Sequence, residues 1–377
     1  MAKAIYIHIP FCSHICYYCD FNKVFLEGQP VDDYIEACCH EFALYAEELA
    51  AEEIQTIYVG GGTPSTLTSA QIEKLFMELK KYTHWSPNIE VTFEMNPNDI
   101  TTELLNTLKR CGINRLSIGV QAFDNALLKR IGRQHSAEEA LEALQIVKAS
   151  SFTNVSIDLI FGLPRQSYTE FEQTLDIAFQ LNLPHYSIYS LILENKTVFY
   201  NLMRQGKLNL PTQDEEAEMF QLVIARMQAE GFEHYEISNY GKPGYESKHN
   251  LIYWANEEYF GFGAGAHGYL SGRRYQNFGP IQHYLQGIRS GSAVLREKVL
   301  TQAEQIEEEM FLGLRRRKGV DLDHFEAKFK LDAEELYAEE IARLKEEGLL
   351  MQKGRQIALT PHGLFLGNEA FQEFLLT

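Results

Sequence analysis

Cys12-Ser13-His14-Ile15-Cys16-Tyr17-Tyr18-Cys19 follows directly on the apolar run Ala4-Ile5-Tyr6-Ile7-His8-Ile9-Pro10-Phe11, and the two together set the reading of the whole chain. The run has the β-branched content of a buried strand. Spacings of four and three then gather three thiols around the loop that leaves it. Thiolates are soft ligands suited to iron–sulfur clusters, zinc or copper(I). Their number matters. A structural zinc ion takes four protein ligands, whereas a four-iron cluster held by three cysteines keeps one iron open to a small chelating molecule. Zinc stays open as an alternative, with His14, Asp20 or Cys38 as its fourth ligand. Covalent c-type heme attachment needs His after Cys-x-x-Cys, and Asp20 stands there instead. Six cysteines in 377 residues, three crowded into eight positions, do not make a disulfide framework. Cys38, Cys39 and Cys111 read as small buried apolar residues.

Lys and Arg number 34 against 52 Asp and Glu, a net charge of −18. Non-specific nucleic-acid binding relies on neutralised phosphates, so no nucleic-acid partner is expected. The basic run Arg315-Arg316-Arg317-Lys318 reads as a solvated helix end. No stretch of 18 apolar residues occurs, so no membrane span is predicted. The start of the chain does not read as a secretory leader, and a cytoplasmic location, where thiols stay reduced, is expected.

From 4 to about 193, β-branched runs alternate with amphipathic helical patterns. Strands are predicted at 4–9, 54–59, 90–95, 115–120, 155–161 and 186–193, with helices at 34–51, 69–81, 101–111, 137–149 and 168–181. Such alternation means βα units around a parallel sheet, as a doubly wound sheet or part of a barrel. Polar or glycine-rich sequence follows the strands: the cysteine loop, Gly60-Gly61-Gly62-Thr63-Pro64, Asn96-Pro97, Gln121 and Gly162-Leu163-Pro164. Function gathers at the C-terminal ends of parallel strands, so these five loops are expected to line one mouth. Beyond 195 come a helix at 212–230 and a stretch rich in Tyr, Gly, His and Asn at 232–276. Helical segments at 303–317, 320–329 and 332–347, a hairpin at 349–353 and 356–359, and a helix at 361–374 follow. The organisation is 1–195, a βα unit; 196–299, its extension; and 300–377, a winged-helix-like module. The acidic balance favours protein packing over DNA for that module.

The cysteine triplet, the Gly60–Pro64 turn, Glu94-Met95-Asn96-Pro97, Ser117-Ile118-Gly119-Val120-Gln121 and Asp158-Leu159-Ile160-Phe161-Gly162-Leu163-Pro164 together resemble radical S-adenosylmethionine (SAM) enzymes of the oxygen-independent coproporphyrinogen III oxidase type. The resemblance runs over essentially the whole chain. It implies an α/β fold, a partial six-stranded βα barrel followed by the C-terminal helical module. It implies a [4Fe-4S] cluster on Cys12, Cys16 and Cys19, and SAM beside it. Tyr18 is placed by the adenine, Gly61, Gly62 and Thr63 at the methionine amino end. Glu94, Gln121, Arg133 and Asp158 form the polar shell for ribose, carboxylate and amine, with Tyr6 as a neighbour. The superfamily's chemistry is one-electron reductive cleavage of SAM.

Two departures bear on function. The oxidases carry a fourth cysteine two positions after the third, where this chain has Phe21, and a longer segment ahead of the first strand. Both features resemble the heme-chaperone branch of the family, as does His249-Asn250-Leu251-Ile252-Tyr253-Trp254, which matches that branch's His-Asn-x-x-Tyr-Trp pattern. An imidazole can ligate heme iron, and Tyr253 and Trp254 offer flat faces to a porphyrin. His249, and more weakly His267 in a glycine-rich loop, are the heme candidates. The expected function is a chaperone that binds heme, a cluster and SAM and transfers heme to an acceptor protein. The alternative is the oxidase of porphyrin biosynthesis itself. A homodimer and a membrane-associated respiratory acceptor are partners the sequence leaves open.

Overall fold

A computed structural model describes residues 2–376. Six parallel strands carry the first half: β1 Ala4–Ile9, β2 Glu53–Gly61, β3 His84–Met95, β4 Arg115–Gln121, β5 Asn154–Phe161 and β6 His185–Ser190. They pair in chain order, as in a βα barrel. Period-two alternation sorts their side chains. Ile5, Ile7, Ile57, Val59, Phe93, Leu116, Ile118, Ile157, Leu159 and Ile188 join one apolar core with helices Val31–Leu44, Ser69–Tyr82, Thr102–Cys111, Ala137–Lys148 and Tyr168–Gln180. The alternate positions are polar and meet one another on the opposite face: Tyr58 with Glu94, Ser117 with Asp158, Ser156 with Ser187. Helix starts follow from local chemistry. Thr68 with Gln71, Ser136 with Glu139 and Ser167 with Glu170 each form a reciprocal capping box.

The stretch at 232–276 supplies strands to the same sheet. β7 Glu233–Glu236 and β8 Asn239–Gly241 extend it antiparallel beyond β6. At the opposite side β9 Tyr259–Phe262 runs parallel to β1, followed by β10 His267–Leu270, β11 Arg273–Asn277 and β12 Val294–Val299. Twelve strands in the order β12-β11-β10-β9-β1-β2-β3-β4-β5-β6-β8-β7 result.

Several expectations need correction. The helix expected at 34–51 breaks at Tyr45, whose ring packs edge-on against Phe260 and Phe262, leaving Val31–Leu44 and Ala46–Ala50. The sixth strand stops at Ser190, and the segment beyond it turns over the mouth. In the C-terminal module Val320–Asp321 is a strand that pairs with Gln356–Leu359, itself paired with Leu350–Gln352. The helix expected at 332–347 is interrupted at Tyr337, and the last helix is regular only over Gly367–Gln372. Ile306, Met310, Phe325, Ile341, Leu344 and Phe374 give the module its own core. Arg315, Arg316 and Arg317 are not a solvated helix end. Arg315 lies over the Trp254 ring at 4.5 Å, Arg316 pairs with Glu236 in a β-bridge, and Arg317 donates to the Leu359 carbonyl at 3.2 Å. Burial lowers the pKa of all three guanidinium groups.

Candidate functional site

The cysteine loop is closed at its base. Phe11–Cys12 pairs in parallel with Val24–Phe25, and Leu26 N–H donates to the Cys12 carbonyl at 2.9 Å. Its tip is strapped to the end of one helix and the first turn of another, through Tyr17 N–H to the Ile131 carbonyl (3.0 Å) and Phe199 N–H to the Tyr17 carbonyl (3.0 Å). Cys12, Cys16 and Cys19 all line one cleft of about 380 Å³ at the C-terminal ends of the parallel strands. Thr63 Oγ1 stands 3.5 Å from Cys12 Sγ, and an Arg133 guanidinium nitrogen 3.5 Å from Cys16 Sγ. Burial pushes the Cys12 thiol up, and the Cys19 thiol up to about 11. Among the described residues, no three Cys, His, Asp or Glu side chains close on a point that would hold one metal ion. Cys38 is far from being a fourth ligand here. It is fully enclosed, its sulfur 3.4 Å from the Tyr284 hydroxyl oxygen.

The Gly61-Gly62-Thr63-Pro64 turn belongs to the same cleft. Gly62 and Thr63 N–H groups donate to the Ile9 and Phe11 carbonyls at 2.8 Å each, so the turn is laid against the end of β1. The glycines serve that approach. A Cβ on Gly62 would sit 2.7 Å from the Pro10 carbonyl carbon, and Gly61 has φ +117°. Backbone atoms cannot rotate away. Gly62→Ala is therefore expected to cost about 1–3 kcal/mol, read as a lower thermal midpoint; an unchanged midpoint would show that the turn can move.

A polar wall faces the thiols. Tyr58 donates to Glu94 Oε1 at 2.6 Å and Gly61 N–H to Oε2 at 3.1 Å, while Ser117 donates to Asp158 at 3.2 Å. Burial pushes Glu94 up to about 7 and Asp158 up to about 6; their mutual repulsion adds to the rise at Glu94. Arg133 bonds Asn96 Oδ1 at 2.8 Å and the Gly119 carbonyl, and its Nε is buried without a partner. Gln121 holds φ +71°, the left-handed conformation that costs a non-glycine residue energy and collects at functional sites. Tyr18 completes the lining.

Not every expected residue arrives. Tyr6 stands behind the wall, its ring stacked on Tyr58 at 6.2 Å. The 162–164 turn is absent from the cleft lining, and Tyr189, Ser190, Leu191, Ile192 and Glu194 take that rim instead. His249 is only 1% exposed and both ring nitrogens are engaged, with Thr56 Oγ1 at 2.8 Å and the Tyr253 hydroxyl at 2.9 Å. His267 is exposed at the start of β10, in the loop system that receives Asn22. Asn96 arrives in the lining with its loop, as expected, whereas Tyr58 and Ser117 were missed. Their signal was available as polar side chains at alternate positions of otherwise apolar buried strands. Tyr235 receives a hydrogen bond from Ser247 N–H and bonds His185 at 2.7 Å.

The Radical SAM superfamily profile matches residues 6–178, and the HemN C-terminal domain profile residues 300–366. Coproporphyrinogen III oxidase HemN from Escherichia coli, a radical SAM enzyme, superimposes with a TM-score of 0.86 at 25% identity, over 99% of this chain and 90% of that one. The heme chaperone HemW of Lactococcus lactis is 46% identical over 99% of this chain and 97% of its own length. That of Bacillus subtilis is 46% identical over 99% of both. Similarity of this degree along nearly the whole of both sequences, on a HemN-like fold, means that the chain belongs to the HemW heme-chaperone family of radical SAM proteins.

Proposed function

We propose that the chain is a cytoplasmic heme chaperone that holds a [4Fe-4S] cluster on Cys12, Cys16 and Cys19, binds SAM beside it, and hands heme to an acceptor protein. The observation that carries the site is convergence. Three thiols from one loop and polar groups from five strand ends line a single cleft. The donor set fits: three soft sulfurs suit three irons, while a guanidinium with a free buried Nε and two carboxyls suit the carboxylate, ammonium and hydroxyls of SAM. When bound, cluster and SAM together supply one-electron chemistry. The chain's own residues orient the nucleotide. Arg133 holds an anionic group, Glu94 and Asp158 accept from donors, Tyr18 offers a flat face to the adenine, and Gly61, Gly62 and Thr63 meet the amino end. Six free cysteines suit a reducing compartment.

For heme, the similarity to HemW chaperones and Phe21 at the oxidases' fourth-cysteine position support the reading. Phe21 and Ile192 are 64% and 67% exposed on the cleft rim, an apolar surface suited to a flat macrocycle. Heme titration of cluster-reconstituted protein is expected to give a saturable Soret shift. Coproporphyrinogen III with SAM and a reductant should give no vinyl-bearing product; its appearance would turn the reading to the oxidase. Loss of the shift in His267→Ala would identify the open imidazole as ligand. Loss in His249→Ala would mean that the helix Lys248–Trp254 leaves its seat when heme binds.

A further inference from the structure

The enclosed imidazole of His249 sits directly against the cleft's polar wall. Thr56 and Tyr58 occupy alternate positions of β2 and so share a face. His249 bonds the first through Nδ1 and packs its ring on the second, with centroids 5.2 Å apart. Tyr58 carries the contact forward: its hydroxyl donates to Glu94 Oε1 at 2.6 Å, and Glu94 Oε2 accepts from Gly61 N–H. The support is itself anchored. Glu90 accepts from the Lys248 and His249 N–H groups at 3.2 and 3.1 Å, Ser247 caps the helix, and Tyr253 bonds His249 Nε2 at 2.9 Å.

We propose that His249 is a positioning residue of the SAM cleft, bracing the Tyr58 ring so that its hydroxyl holds Glu94 in place. This rests on the proposed nucleotide cleft. Burial lowers the imidazole to about 3, so His249 stays neutral and serves as a fixed ring between two hydroxyls. Leu251, Ile252 and Trp254 are not needed for the contact.

The test is SAM binding by calorimetry to anaerobically reconstituted protein between pH 6 and 9. Tyr58→Phe and His249→Ala should each weaken SAM about tenfold, and the double variant should bind no worse than Tyr58→Phe alone. The groups facing Glu94 are Tyr6, Tyr58, Asp158, Tyr189 and Arg115. Of these Tyr58 donates to its carboxylate, so both variants should move the pH midpoint of SAM affinity upward. A variant that merely misfolds would lower the binding stoichiometry and leave the dissociation constant and pH midpoint alone. His249→Ala with wild-type affinity, or effects that add to Tyr58→Phe, would overturn the bracing while leaving the cleft assignment intact. Wild-type protein that binds no SAM would overturn both.

Discussion

Serine at Cys12, Cys16 or Cys19, introduced one at a time, is expected to empty the protein of its cluster. Anaerobic reconstitution of the wild type should give about four irons per chain and a brown chromophore. Each variant should fall to near zero, because two thiolates do not hold a cluster that already leaves one iron to a small molecule. Cys38→Ser should keep the full complement, since that thiol lies between Tyr284 and the core rather than in the cleft. Iron and sulfide assays with the visible spectrum decide the matter. Stoichiometric zinc without iron in the wild type, or a cluster surviving in any one of the three variants, would defeat the assignment.

Glu41→Ala should cost about 4 kcal/mol of stability, in the range of removing one partner from a buried charge-assisted set. Glu41 is fully enclosed and accepts from Gly263 N–H at 2.8 Å, Tyr284 at 2.6 Å and Asn277 Nδ2 at 2.6 Å. Truncation strands the Gly263 N–H and takes the short acceptor from Tyr284, while Asn277 Nδ2 keeps the Gly263 carbonyl at 3.0 Å. The loss reaches the cleft, because the neighbouring Ala264 carbonyl receives Asn22 at 2.7 Å and the Asn22 carbonyl bonds His8 at 2.7 Å. Urea unfolding measures the cost, and a change below 1 kcal/mol would refute it. The carboxyl also carries a pH signature. Burial pushes Glu41 up to about 7 from its ordinary value near 4.5, so the unfolded chain releases that proton first. Its contribution is complete below about pH 4.5 and is lost as pH rises through about 7. His8, lowered to about 4 by burial, acts in the opposite sense at acid pH, so the comparison with Glu41→Gln isolates the carboxyl. The stability advantage of the wild type over Glu41→Gln should shrink between pH 5 and 8; a constant gap would show that Glu41 does not titrate on unfolding.

Much of the site was legible one residue at a time. Two cysteine spacings, three glycines and single polar residues at strand ends are local features, and each strand core lies within a residue or two of its expected place. Strands β3 and β6 are the exceptions: the first begins six residues early at His84, and the second ends three residues short at Ser190. Helix starts were equally local, because Thr or Ser followed three residues later by Glu or Gln closes its own hydrogen bonds. The imidazole at 249 shows where such reading stops. Its motif names a residue type and a spacing, but whether the ring meets solvent, iron or Thr56 depends on a helix that follows the β7–β8 hairpin and seats against β2 and β3.

The parallel βα order, the three sulfurs on one loop and the family to which they point could all be read from the chain, because alternation and short spacings act within one turn or one strand. Long-range packing alone sets β9–β12 beside β1, Arg315 over Trp254, and Tyr58 with His249 against Glu94. Those arrangements come from pairing and burial between segments as far apart as Ala4 and Tyr259, and no local periodicity encodes which distant surface a segment will cover.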